Sequence, residues 1–136
     1  MTFVGVVYLN LDLVLSIHAA QLQEHGGMSG IRDQGGLESA LAQPEASFGD
    51  EDFHVTVFDK AAAYAFHLAE SQAFIDGNKR VALASALVFL ALNGYEITED
   101  QPAFYDAMIA IAKRDLDKEG LSNLFRDAWI KLNLSK

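Results

Sequence analysis

Apolar residues recur at three- and four-residue spacing along most of the chain, which is the pattern of helices packed around a core. The pattern predicts a first helix that Asn10 or Asp12 caps and that stops at residues 26–27, a pair of glycines. Residues 58–70 and 78–92 are apolar on nearly all sides, which predicts two buried central helices. Further helices are predicted over residues 37–41, from Pro102 to about residue 112, and over residues 121–132.

Two stretches lack a helical period. Residues 26–36 are rich in glycine and predict a structured loop, and residues 47–57 mix acids with β-branched residues and predict a loop or a short flap. A small β element is also allowed near residues 4–8. The pattern therefore predicts a single all-α domain over residues 1–136, a bundle of about six helices with at most a small β flap.

Composition supports a protein that folds alone and inside the cell. The chain has 136 residues and is 51% hydrophobic, enough to build its own core. The absence of cysteine excludes disulfides and thiolate chemistry and favours the cytoplasm. No basic region precedes the short apolar run of residues 1–9, so no signal peptide is expected. The longest apolar stretch, residues 81–92, would span roughly 18 Å as a helix, too short to cross a membrane.

The charge balance disfavours nucleic acid as a partner. The chain carries 19 acidic and 10 basic residues, for a formal net charge of −9. Proteins that bind nucleic acid neutralise its phosphates with a basic face, which this balance makes improbable.

The segment between the two central helices, residues 72–80, combines several features of an anion site. Gly77 allows a close approach of the backbone, and the helix that follows begins with free N–H groups that favour a phosphate. Lys79 and Arg80 add positive charge, and Asp76 offers an oxygen ligand of the kind that Mg²⁺ takes. The same residues also fit an ordinary helix cap with solvated cations, and spacing alone leaves both interpretations open.

This segment resembles the motif of the Fic superfamily, H-P-F-x-D/E-G-N-x-R. A lysine between the Asn and the Arg is typical of the death-on-curing (Doc) toxin type. The glycine-rich loop of residues 26–33 and the sequence of residues 93–95 after the second central helix are also similar to Doc-type proteins. The chain departs from the motif at Gln72 and Ala73. It matches at Phe74, Asp76, Gly77, Asn78, Lys79 and Arg80.

The resemblance implies ATP and Mg²⁺ as cofactors and assigns roles to the matching residues. Asp76 would hold Mg²⁺, while Gly77, Asn78 and Lys79 would line an anion hole. Arg80 would clamp a phosphate, a task that suits its planar fork. The apolar Phe74 side chain would anchor the turn in the core.

The resemblance also implies an activity and partners. Doc-type toxins move a phosphate, and Fic-type enzymes more often AMP, from ATP to a hydroxyl of a protein such as elongation factor Tu. The lysine favours phosphate transfer here. A Phd-type antitoxin with a partly disordered tail is the implied partner. The self-inhibitory pattern S/T-x-x-x-E-G/N is not matched, because Asp115 stands four residues before Glu119.

Gln72 stands where the family has its catalytic His. A side-chain amide cannot take up a proton near neutral pH, and general-base catalysis typically supplies about 10²- to 10⁴-fold in rate. The chain is therefore predicted to be either an impaired transferase or a silent relative that binds nucleotide or antitoxin, and the sequence leaves open whether Gln72 is natural or a substitution. A lone helical His is usually structural, so His67 is not expected to replace the missing base. Other residues expected to be structural for want of a partner are His18, His25, His54, Ser71 and Ser85.

Overall fold

The protein is described by a computed structural model that covers residues 5–49, 51–98 and 102–134. These residues contain six α-helices, one 3₁₀ turn and one antiparallel hairpin. The prediction of an all-α bundle with a small flap is confirmed. The helices are α1 (Leu11–His25), α2 (Gln34–Ala42), α3 (Val57–Ser71), α4 (Asn78–Leu92), α5 (Pro102–Ala112) and α6 (Lys118–Leu134); the 3₁₀ turn is Gln43–Glu45, and the hairpin pairs β1 (Ser47–Phe48) with β2 (Glu51–Asp52).

Side-chain caps set where several helices begin. The Asn10 carboxamide accepts a hydrogen bond from Leu13 N at 2.8 Å, which starts α1 as predicted. Thr56 and Asp59 form a reciprocal capping box at the start of α3. α1 ends at Gly26, whose φ of 80° only glycine adopts without strain.

Two helices begin earlier than the apolar pattern predicts. α2 starts at Gln34 rather than at residue 37, because Asp33 accepts a hydrogen bond from Gly36 N at 2.9 Å and draws both glycines into the first turn. α6 starts at Lys118 rather than at residue 121, where Asp117 accepts from Gly120 N at 2.8 Å. Of the two places where a small β element was allowed, the structure has it in the flap. Residues 5–8 form no strand, and residue 4 lies outside the described residues.

The core is built around α3, which packs against α2, α4 and α6. Tyr64 is fully buried in it, and its hydroxyl accepts a hydrogen bond from Leu9 N at 2.9 Å. Ser122 of α6 donates to Asp59 Oδ1 at 2.7 Å, which ties the start of α3 to α6. Within the described ranges, no helix is long and apolar enough to cross a membrane.

A buried lysine fastens the hairpin to α3. Lys60 is 2% exposed, and its ammonium donates to the His54 carbonyl at 2.6 Å and to Asp52 Oδ2 at 3.2 Å. The ammonium also lies 5.5 Å from the centre of the Tyr8 ring. Desolvation alone would lower the pKa of this amine, but its partners, including Tyr8 and Asp52, raise it overall. Lys60 therefore stays charged and holds the hairpin in place.

Candidate functional site

Residues 72–80, called the motif turn below, connect the end of α3 to the start of α4. Gln72 ends α3 in the left-handed conformation, with φ 50° and ψ 38°. Phe74 turns inward and is 1% exposed, which agrees with an anchoring role. Gly77 is also left-handed, with φ 77° and ψ 21°, and the backbone enters α4 directly after it.

The glycine-rich loop before α2 packs on this turn through the backbone. Ala73 O accepts from Arg32 N at 2.7 Å and from Asp33 N at 3.0 Å, and Ile75 N donates to Gly30 O at 3.1 Å. A β-carbon on Gly30 would lie 2.7 Å from the Ile75 side chain. The loop that resembles the Doc type thus fixes the outer side of the motif turn.

Asn78 closes the turn from inside. Its Oδ1 accepts from Phe74 N at 3.0 Å, and its Nδ2 donates to Phe74 O at 3.0 Å. Both ends of the side-chain amide are therefore used within the turn. What Asn78 offers to a ligand is its backbone N–H, so the implied place in an anion hole rests on the main chain.

The start of α4 has no side-chain cap. Its first intrahelical bond runs from Val81 N to Gly77 O at 2.9 Å, so the amides of residues 78–80 precede the hydrogen-bonded ladder. Unpaired helix N–H groups and the positive end of the helix dipole both attract an anion. A phosphate fits this position on chemical grounds.

Two cations lie at the same end of α4. Lys79 is exposed, and it makes no ion pair within the part of the chain that the structure describes. Arg80 is half-buried, and its Nε donates to the Tyr105 hydroxyl of α5 at 3.0 Å. That bond leaves the two terminal nitrogens of the guanidinium for a ligand.

Asp76 carries an exposed carboxylate at the mouth of the turn. Its Oδ1 accepts from Gly77 N at 2.9 Å and its Oδ2 from Met28 N at 3.2 Å. A carboxylate has roughly four lone-pair sites, so capacity for a cation remains. Among the residues described, no group of three or more His, Cys, Asp or Glu side chains could hold a metal. The donor set therefore fits Mg²⁺ that takes one carboxylate from the protein and its other ligands from phosphates and water.

The described contacts of His67 lie outside the motif turn. Its Nε2 lies 3.1 Å from Lys118 Nζ, and the same ammonium lies 3.2 Å from His54 Nε2. Because an ammonium only donates, both imidazoles accept through Nε2. Burial, followed by the charge of Lys118, lowers the pKa of His67 to about 4, and the same two causes lower that of His54. His67 thus belongs to a separate cluster between the hairpin and α6.

Two cavities of the described residues lie away from the motif turn. One, of about 530 Å³, is the cleft over the His54 and Lys118 cluster. The other, of about 760 Å³, runs between the ends of α4 and α6 and includes Trp129. An anion held by helix amides and side-chain cations does not need an enclosed cavity.

The sequence of the chain is similar to those of known proteins. The model of the Fic/DOC family matches residues 8–90, which contain the glycine-rich loop and the motif turn. The chain is 38% identical over 99 residues to "Toxin Doc" of Mycolicibacterium smegmatis, covering 71% of this chain and 76% of that protein. It is 28% identical over 119 residues to "Protein kinase doc" of Escherichia phage P1, covering 88% and 93% respectively. With its all-α fold and motif turn, the chain belongs to the Fic/DOC family.

Proposed function

We propose that the chain is a Doc-type toxin that binds ATP and Mg²⁺ at the motif turn and transfers a phosphate, or less readily AMP, to a protein hydroxyl. The observation that carries the proposal is the uncapped start of α4, with Lys79 and Arg80 on its first turn and the Asp76 carboxylate just before it. The names of the two relatives, a toxin and a protein kinase, support the same activity.

Each part of the turn has a task in this proposal. Asp76 would hold Mg²⁺, which neutralises charge on the phosphates when it is bound. The amides of residues 78–80, together with Lys79, would receive phosphate oxygens. Arg80 would clamp a phosphate through its terminal nitrogens, while Tyr105 fixes the Nε end of the guanidinium. Phosphoryl transfer depends mainly on such positioning and charge stabilisation, and the residues proposed for these tasks are all present in the chain.

In this proposal Gln72 limits the rate of phosphate transfer. The residue is exposed at the start of the motif turn, and its carboxamide could orient a hydroxyl but cannot accept the proton that the hydroxyl loses. We expect transfer to be slower by about 10²- to 10⁴-fold than with a histidine in this position.

The proposed target is a translation protein of the cytoplasm such as elongation factor Tu, and the proposed partner is a Phd-type antitoxin whose tail folds on the toxin. Exposed apolar side chains on and beside the hairpin would contact the target. Phe48 is 80% exposed, Phe53 64% and Val55 72%. Surfaces of this kind commonly mark protein contacts.

A second candidate function is a silent binding module that holds nucleotide or antitoxin without turnover. Gln72 is the observation that favours it, because it removes the base while the residues proposed to bind the nucleotide, 76–80, match the motif. The two candidates differ in what a restored base would do.

The Gln72→His exchange separates them. Histidine is among the residue types that tolerate left-handed backbone, so it suits the φ of 50° at this position. We expect expression of the His variant to arrest a bacterial host, and the purified variant to transfer labelled phosphate from ATP to a host protein.

Gln72→Asn is the matched control, since asparagine also tolerates left-handed backbone but cannot act as a base. It should be as harmless as the parent. If the His variant binds Mg-ATP but neither arrests growth nor transfers phosphate, the toxin proposal fails and the binding module stands.

A further inference from the structure

His18 lies outside the motif turn but contacts it twice. It sits on α1 and is 5% exposed. Its ring stacks on Phe74, with centroids 3.8 Å apart and planes inclined by 14°. Its Nε2 lies 2.8 Å from the backbone carbonyl oxygen of Asp76. No other histidine of the described residues is recorded in a ring contact or hydrogen bond with the turn.

The chemistry of the second contact fixes which nitrogen carries the proton. A carbonyl oxygen only accepts, so Nε2 of His18 must be the donor. His18 therefore draws the Asp76 carbonyl toward α1. The Nε2 atom also lies 3.6 Å from where a β-carbon on Gly77 would stand, so the ring is close to the peptide that joins these two residues.

The direction of that carbonyl decides the direction of the next N–H. In a trans peptide the C=O and the N–H point to opposite sides, and the described residues contain no cis bond. With its carbonyl turned to His18, the Asp76–Gly77 peptide aims Gly77 N–H at Asp76 Oδ1, 2.9 Å away. One chain of hydrogen bonds thus runs from His18 through the peptide to the carboxylate.

Glycine makes this peptide easy to reverse. Gly77 tolerates backbone angles of either sign, so without the His18 donor the peptide is held against a flip only by the bond from Gly77 N–H to Asp76 Oδ1. A flipped peptide would turn its carbonyl toward the Asp76 carboxylate and the start of α4. Oxygen would then face oxygen, and a bound phosphate would meet a partial negative charge.

We infer that His18 is a positioning residue that locks the Asp76–Gly77 peptide and thereby orients the Asp76 carboxylate for a divalent cation. The statement that Asp76 is oriented for a divalent cation rests on the proposed function. The locked peptide itself does not, and it can be measured without any ligand.

Two variants separate the ring contact from the hydrogen bond. His18→Phe keeps a flat ring against Phe74 but has no donor. His18→Gln loses the ring but can place an amide N–H near the position of Nε2. We expect the apparent Mg²⁺ affinity in the presence of ATP to fall about tenfold in the Phe variant and to stay within about threefold of the parent in the Gln variant.

The ligand-free test is NMR spectroscopy of the His18 ring and of the Gly77 amide. The parent should carry its ring proton on Nε2, and the Gly77 amide should shift and exchange faster in the Phe variant than in the Gln variant. A parent ring without a proton on Nε2, or a Gly77 amide unchanged in the Phe variant, would overturn the inference.

The binding experiment and the NMR experiment test different statements, so one can be contradicted without the other. A parent that binds no Mg-ATP removes the proposed function, while the NMR comparison still decides whether His18 locks the peptide. A parent that binds Mg-ATP and a Phe variant that binds Mg²⁺ equally well would overturn the inference and leave the proposed function intact.

Discussion

Asn78 bridges the motif turn between Phe74 and the start of α4, and its single side-chain amide makes two hydrogen bonds there. Its partners are the N–H and the C=O of Phe74, a residue whose own side chain is buried. Leaving a buried backbone group without a partner costs about 1 to 3 kcal/mol. The shape of the turn therefore depends on Asn78 as much as on Gly77.

Asn78→Ala should lower the free energy of unfolding by about 2 to 3 kcal/mol, because both Phe74 groups lose their partner. It should also weaken Mg-ATP binding, since the amides at the start of α4 would no longer be held. The midpoint of urea denaturation measures the first effect and calorimetric titration the second.

Asn133→Ala is the matched control, because that exposed amide donates to Trp129 O of its own helix and lies away from the motif turn. Its midpoint should hardly change. Equal losses in the two variants would contradict the importance given to the turn.

The residues of the motif turn could be predicted from the sequence because they are adjacent in the chain. The contacts that hold them could not, since they join distant segments. His18 has no metal-ligand spacing and looked structural, and Tyr105 reaches Arg80 only after α5 has packed. A lone histidine on a helix gives no signal of what it touches until the helices are assembled.

Among the secondary-structure elements, capping residues determine where a helix begins and ends more than the apolar pattern does. The bounds of α4 agree with the predicted 78–92, because a glycine turn precedes it and Asn93–Gly94 end it. The starts of α2 and α6 were predicted three residues late, because the pattern counts apolar residues and overlooks Asp33 and Asp117 as caps. The hairpin could be predicted only as a possibility, since two-residue strands have no readable period.

Thr56→Ala should reduce the free energy of unfolding by about 1 kcal/mol. Thr56 accepts from Asp59 N at 3.0 Å in the capping box that starts α3, and alanine cannot. Thermal unfolding measures the loss, while Mg-ATP affinity should match the parent because the motif turn lies at the other end of α3. A large loss of affinity would mean that the hairpin end of α3 communicates with the turn.

At the scale of the whole molecule, the cluster of His54, His67 and Lys118 links the hairpin, α3 and α6. Its ammonium lies within 3.2 Å of both imidazoles, so a second proton in the cluster is disfavoured. Burial, then Lys118, lowers the pKa of His67 from 6.5 to about 4. In the folded protein His67 is therefore neutral at pH values where the unfolded chain has already taken up a proton.

This difference predicts a loss of stability in mild acid. Between pH 6.5 and about 4 the unfolded state binds the proton and the folded state does not, so the free energy of unfolding falls as the pH falls. The contribution of His67 is up to about 2 kcal/mol between pH 7 and pH 5. Urea midpoints of the parent and of His67→Gln across this range measure it.

The Gln variant should show the shallower pH dependence, whatever its stability at neutral pH. His25→Gln is the control, because His25 is an exposed residue at the end of α1. Parallel curves for the parent and His67→Gln would contradict the role of the cluster.

The proposed function depends on binding of the phosphates of a Mg-nucleotide at the start of α4, which calorimetric titration of Mg-ATP into the parent and into Arg80→Ala measures. Arg126→Ala, which removes an arginine of α6, is the control. We expect saturable binding by the parent and by the control, and a loss of about tenfold or more in affinity for Arg80→Ala. No binding by the parent at millimolar nucleotide, or equal affinity in all three proteins, would contradict it.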